Sequence, residues 1–127
     1  MADLKKVLIV EDEAPMLLAL TKKFEKENFR VLEAKDGEEG YKMALAKRPD
    51  LVLLDLVMPK MDGMTVMAKL RQDPWGKNVP IIILTNLNMD DKIMKGVSHD
   101  EPAYYLMKAE VTLEDIAQKA REVLKLN

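Results

Sequence analysis

Polar residues close four apolar runs in this chain, and their types are those that handle an anion. Glu11, Asp12 and Glu13 follow "VLIV", Asp55 follows "LVLL", Thr85 and Asn86 follow "PIIIL", and Lys108 follows "YYLM". A carboxylate buried without a partner costs several kcal/mol, so Asp55 needs compensation. If the first and third runs are neighbours, Glu11 or Asp12 converges with it. Carboxylates gathered at one point raise one another's pKa unless a cation enters. Hard oxygen donors in this number suit a magnesium ion that keeps several waters. Lys108 adds a fixed positive charge and Thr85 a hydroxyl. These are the parts for taking a phosphoryl group onto a carboxylate: an anionic nucleophile, and groups that neutralise the equatorial oxygens. Singly, each has a plainer reading as a cap, a turn residue or a surface charge. Their shared place at the ends of successive runs carries the argument.

Those ends must be positioned by a scaffold. "VLIV" (7–10), "LVLL" (51–54) and "VPIIIL" (79–84) do not alternate apolar with polar, the pattern of strands covered on both faces. "RVLEA" (30–34) and "AYYLM" (103–107) are weaker strand candidates. Helical patterns lie between them. In "APMLLALTKKFEKEN" Met16, Leu20 and Phe24 share a stripe, and Pro15 suits a first turn. "DGEEGYKMALAKR" opens with Asp36 and Glu39 at capping spacing. "GMTVMAKLRQD" aligns Met64, Met67 and Leu70, and "MDDKIMKGV" reads as a shorter helix ending near Gly96. "TLEDIAQKAREVLKL" has Thr112 and Asp115 as cap and gathers Leu113, Ile116, Ala117, Ala120 and Leu124 on one face. The order is β-α repeated five times. Parallel strands need crossover helices, so a parallel sheet with helices on both faces is expected. In such sheets ligands sit outside the carboxyl ends of the strands, where the polar residues stand.

Bulk properties fit one domain spanning residues 1–127, with a sizeable core and no output domain. Hydrophobic residues make up 48% and charged residues 33%, a globular balance. A net charge of −2 offers no basic stripe, so no direct nucleic-acid contact is expected. The absence of cysteine excludes disulfides and thiolate metal sites. "VLIV" is too short for a signal peptide or a membrane span, which leaves a cytoplasmic protein without a membrane partner as the expectation.

"VLIVEDE", "LVLLDLVMPKMDG", "PIIILTN" and "YYLMK" together resemble the receiver domain of two-component response regulators. The resemblance runs from about Lys5 to Leu126. It implies the flavodoxin-like doubly wound fold with strand order 2-1-3-4-5, and a phosphoacceptor module rather than an enzyme with a substrate of its own. It implies that Asp55 is the phosphoacceptor, that Glu11 and Asp12 hold Mg²⁺ with Asp55 and the main-chain carbonyl of Val57, and that Thr85 and Lys108 contact the phosphoryl oxygens. Tyr105 matches the family's aromatic switch residue. A histidine kinase or phosphotransfer protein is the implied donor, and the face of the fourth helix, fifth strand and fifth helix the implied contact for a downstream protein. Two positions depart from the pattern. Ala109 stands where proline usually follows the lysine, and a trans Lys108–Ala109 bond is expected, since cis without proline costs about 2.5–4 kcal/mol. Asn86 stands where a small residue usually follows the threonine. Val57, Asn86 and Leu87 border the approach of a hydrolytic water. Val57 and Leu87 have no group to orient it, so a long-lived phosphorylated form is expected.

Other readings compete. A phosphohydrolase with an aspartyl-phosphate intermediate, of the haloacid-dehalogenase type, wants a second Asp where Val57 stands. A flavodoxin-like FMN carrier wants hydroxyls and amides where "EDEAP" would repel a phosphate. A degenerate receiver that is never phosphorylated is a further alternative. Met64 and Met67 read as core, Trp75 as packing and His99 as solvated. Met89 and Met94 stay open, because the fourth helix is a common partner face in the family.

Overall fold

The structure, a computed structural model, describes residues 4–87 and 90–126, without the side chains of 91–94. Met89 and the side chain of Met94 thus lie outside the described residues. Five strands, β1 (Lys6–Val10), β2 (Arg30–Ala34), β3 (Leu51–Leu54), β4 (Ile81–Thr85) and β5 (Tyr104–Met107), form one parallel sheet in the order 2-1-3-4-5. Helices α1 (Ala14–Lys26), α2 (Gly37–Lys47), α3 (Gly63–Gln72) and α4 (Asp91–Asp100) make the four crossovers, and α5 (Leu113–Val123) follows the last strand. This is the parallel sheet expected from the alternation, in the flavodoxin-like order that the resemblance implies.

The apolar strands divide their side chains between two cores, as the two-residue period requires. Val7, Ile9, Leu51, Leu53, Ile82 and Leu84 face Leu17, Leu20 and Phe24 of α1 and Ile116 and Ala120 of α5. Leu8, Val10, Val52, Leu54, Ile81 and Ile83 face Val66, Met67 and Leu70 of α3, Ala44 of α2 and Val97 of α4. With a core on each side, β3 is apolar throughout and β4 turns polar only at its last residue, Thr85.

Local signals set the helix starts. Asp36 accepts the Glu39 N–H at 2.8 Å, and Asp62 accepts that of Thr65 at 2.9 Å. Thr112 and Asp115 form the full reciprocal capping box expected of that pair.

Three local expectations are corrected. The buried stripe of α1 is Leu17, Leu20 and Phe24, with Met16 only partly buried. The fourth strand begins at Ile81, not Val79, since Pro80 has no N–H for the ladder and offers only its carbonyl, to the Val52 N–H. The fourth helix does not end near Gly96 but runs on to Asp100. Gly96 packs beside α3: a Cβ on it would stand 2.3 Å from Cε at the flexible end of Met64. His99, in the last turn of α4, is exposed as expected. Among the described residues no helix is long and apolar enough to cross a membrane.

Candidate functional site

Sheet register brings the polar residues together. Val10 pairs with Leu54, so the next residues, Glu11 and Asp55, leave adjacent strands side by side. The Asp55 N–H still donates to the Val10 carbonyl, at 3.1 Å. Thr85 pairs with Met107, which sets Asn86 opposite Lys108.

Asp55 and Glu11 are almost wholly buried, at 5% and 2% exposure, and Thr85 is fully buried. Lys108 compensates the carboxylates. Its Nζ lies 2.8 Å from Asp55 Oδ2, 2.7 Å from Glu11 Oε1 and 2.9 Å from Glu13 Oε1. The second oxygen of Asp55 accepts the Val57 N–H at 3.2 Å, and that of Glu11 the Glu13 N–H at 3.0 Å. Thr85 Oγ1 accepts the Leu87 N–H at 3.3 Å. No buried side-chain nitrogen or oxygen among the described residues is left without a partner.

These contacts balance the charge of the buried carboxylates. Burial pushes the Glu11 carboxyl up, and the hydrogen bonds from Lys108 and the Glu13 backbone only partly reverse this. Burial pulls the Lys108 ammonium down. Its hydrogen bonds to Asp55, Glu11 and Glu13 outweigh that and hold it above its ordinary range. The lysine is therefore a permanent cation at neutral pH.

Glu11, Asp12 and Asp55 each offer a carboxylate oxygen within 4.8 Å of the others. Asp12 is exposed while the other two are buried, so the trio opens to solvent on one side. Three hard oxygen donors with an open face fit a magnesium ion that retains waters. The cleft over the site has a volume of about 360 Å³ and is lined by Asp12, Glu13, Asp55, Val57, Thr85, Asn86, Leu87 and Lys108. A larger cavity of about 490 Å³ lies at the amino end of β4 and β5. It lacks comparable chemistry, because its Arg71 guanidinium is bound to the carbonyls of Gly76, Val79, Asp100 and Glu101.

The family model of the response regulator receiver domain matches residues 7–121. The chain belongs to this family. The receiver is 38% identical over 91 residues to the alkaline phosphatase synthesis transcriptional regulatory protein PhoP of Bacillus subtilis, covering 71% of this chain and 37% of PhoP. It spans less than half the length of the curated relatives it matches. Among solved structures, a CheY-like receiver from Methanospirillum hungatei superposes with a TM-score of 0.88 at 24% identity, covering 97% of this chain and 95% of that one. The CheX–CheY–BeF3–Mg complex from Borrelia burgdorferi matches at 0.83 and 28% identity, covering 94% and 89%.

The receiver brings Glu11, Asp12, Asp55, Val57, Thr85, Asn86, Leu87 and Lys108 together. Tyr105 stands at the margin, half-buried, its hydroxyl donating to the Leu87 carbonyl at 2.6 Å. Burial, then the charges of Asp55 and Asp90, push its phenol above the ordinary value. Val57 is 59% exposed at the mouth. No cis peptide occurs among the described residues, so Lys108–Ala109 is trans as expected. Sequence reasoning missed the part played by Glu13. The available signal was its place as N-cap of α1, where glutamate is a poor choice and makes no side-chain cap. Its carboxylate is turned to Lys108 instead.

Proposed function

We propose that this receiver takes a phosphoryl group onto Asp55 from a phosphohistidine of a histidine kinase or phosphotransfer protein, and that the modified form is read by a downstream protein. The observation that carries the reading is Lys108 Nζ, held within 2.8 Å of a buried Asp55 that shares its site with two further carboxylates of a metal-fitting trio. A carboxylate oxygen of Asp55 attacks phosphorus as the donor's N–P bond breaks, and the departing imidazole retains that electron pair. Lys108 turns its N–H groups to the transferred oxygens, and Thr85 moves to donate its O–H to a phosphoryl oxygen. Both act by neutralising and orienting charge, which is most of what phosphoryl transfer needs. Glu11, Asp12, Asp55 and the Val57 carbonyl would hold magnesium, which would supply further positive charge to the transfer. The relative from Borrelia burgdorferi, described with BeF3 and magnesium, supports this part of the reading.

Readout follows from the Thr85–Leu87 segment. Leu87 bonds to Thr85 through its N–H and to Tyr105 through its carbonyl. Movement of Thr85 therefore disturbs the acceptor that holds Tyr105, shifting the population of two packings on the face of α4, β5 and α5.

Incubation with Mg²⁺ and phosphoramidate, read by intact mass, tests the proposal. One adduct is expected, lost in Asp55→Ala and in EDTA. Asp12→Ala should need roughly tenfold more Mg²⁺ for the same rate, the scale set by losing one ligand-sphere interaction. An adduct that persists in Asp55→Ala, or forms equally in EDTA, overturns the assignment.

A further inference from the structure

The two positions at which this chain departs from the usual receiver pattern touch each other. Asn86 Oδ1 accepts the Ala109 N–H at 3.1 Å. Sheet register explains the meeting: with Thr85 paired to Met107, Asn86 faces Lys108 and reaches one residue further. Ala109 is the middle residue of a 3-10 turn, Lys108–Glu110, preceded by Met107, which makes no side-chain cap. The first N–H groups of such a turn have no partner within it. Asn86 supplies the missing acceptor from the neighbouring strand end. A proline at 109 would have no N–H to give, and a small apolar residue at 86 would have no oxygen to receive one. Each departure supplies the group that the other uses.

We infer that Asn86 is a positioning residue for Lys108, holding the turn that carries the lysine against the end of β4. The inference rests on the reading of Asp55 as phosphoryl acceptor. Lys108 has a long, rotatable side chain, so the place of its ammonium depends on how firmly residues 107–109 are held. Only the carboxamide oxygen of Asn86 can accept an N–H, which fixes which way round the amide sits. The contact also spans the two segments that must act together, since Thr85 precedes Asn86 and Lys108 precedes Ala109. An error of about 1 Å in a positioned group can cost roughly a hundredfold in rate. A loosened turn sacrifices part of that.

The test is a double-mutant cycle on the rate of phosphorylation by phosphoramidate in saturating Mg²⁺, with amide exchange of Ala109 followed in parallel. Asn86→Ala should slow phosphorylation by roughly 3- to 10-fold, the span to which the net worth of one hydrogen bond converts. Exchange at Ala109 should accelerate in the same variant. In a Lys108→Ala background, adding Asn86→Ala should leave the rate unchanged, because the residue acts through the lysine. Equal slowing in both backgrounds would show that Asn86 meets the phosphoryl group or its donor directly, and would overturn the inference. So would faster Ala109 exchange with no change in rate. If the wild-type protein gains no adduct on Asp55, the proposed function falls and this inference with it. A wild-type adduct with an indifferent Asn86→Ala variant sinks the inference alone.

Discussion

Lys108 Nζ stands 2.9 Å from Glu13 Oε1, an ion pair between residues 95 positions apart. An ammonium has three N–H groups, and here Glu11, Glu13 and Asp55 are the carboxylates around it. A phosphoryl oxygen can reach the lysine only by displacing one of them. Glu13, whose side chain is 61% exposed, loses least by returning to water, whereas Glu11 is buried.

Glu13→Gln should therefore speed phosphorylation of Asp55 by a small-molecule donor. Exposed ion pairs are worth about 0–1 kcal/mol, which bounds the gain at roughly fivefold and the stability change at about 1 kcal/mol. Initial rates by intact mass check this. A slower variant would mean that Glu13 helps the transfer rather than standing in its way.

Gly63 should be intolerant of a side chain for a reason that reaches the site. A Cβ there would lie 2.1 Å from the Asp55 carbonyl oxygen and 2.7 Å from Leu56 Cα, both backbone atoms that cannot step aside. Gly63→Ala is expected to cost about 2–4 kcal/mol through overpacking and to displace the Asp55 loop. Gly96→Ala is the control, since among the described residues its near neighbour is the flexible tip of Met64. Its cost should stay within about 1 kcal/mol, helped by the better helix propensity of alanine. Urea unfolding of both variants separates the two cases, and equal losses would contradict this account.

Tyr105 should make stability depend on alkaline pH. Its phenol is raised above the ordinary value of 10.0 by burial and by the charges of Asp55 and Asp90. A raised folded value means that the unfolded chain loses this proton first. The stabilisation by the neutral phenol is thus complete below pH 10 and disappears as pH climbs through the folded value. Below that window Tyr105→Phe should cost about 0.5–1.5 kcal/mol, the worth of the bond to Leu87. The gap between wild type and variant should narrow as the solution becomes alkaline. Urea midpoints across the alkaline range provide the measurement, and a constant gap would refute it.

Phosphorylated Asp55 should decay slowly, over minutes to hours. Val57 and Leu87 line the cleft beside Asp55 and have no side-chain base to orient a water. The oxygen of Asn86 already accepts the Ala109 N–H. Val57→Asn and Leu87→Glu should each shorten the lifetime, followed by mass after removal of the donor. Loss of the adduct within seconds in the native protein, with the polar variants no faster, would dispose of this explanation.

The sequence by itself determined the sheet and the identity of its polar rim. Strands covered on both faces must read as unbroken apolar runs, so Asp55 and Lys108 mark strand ends by their mere polarity. The capping pair Thr112 and Asp115 was legible because its partners are three residues apart, within reach of local geometry alone. Tertiary structure decided what lies between distant segments. Rotation of α1 about its axis chose Leu17 over Met16, because neighbouring positions of a stripe differ by little in periodicity and much in what they face. Gly96 read as a helix end, yet the helix runs through it to Asp100, with Met64 of α3 packed beside it. Glu13 and Asn86 were visible as residues but not as partners of Lys108 and Ala109. Those contacts depend on the register that aligns Val10 with Leu54 and Thr85 with Met107, a relation set by strand pairing across the fold and written in no single stretch of chain.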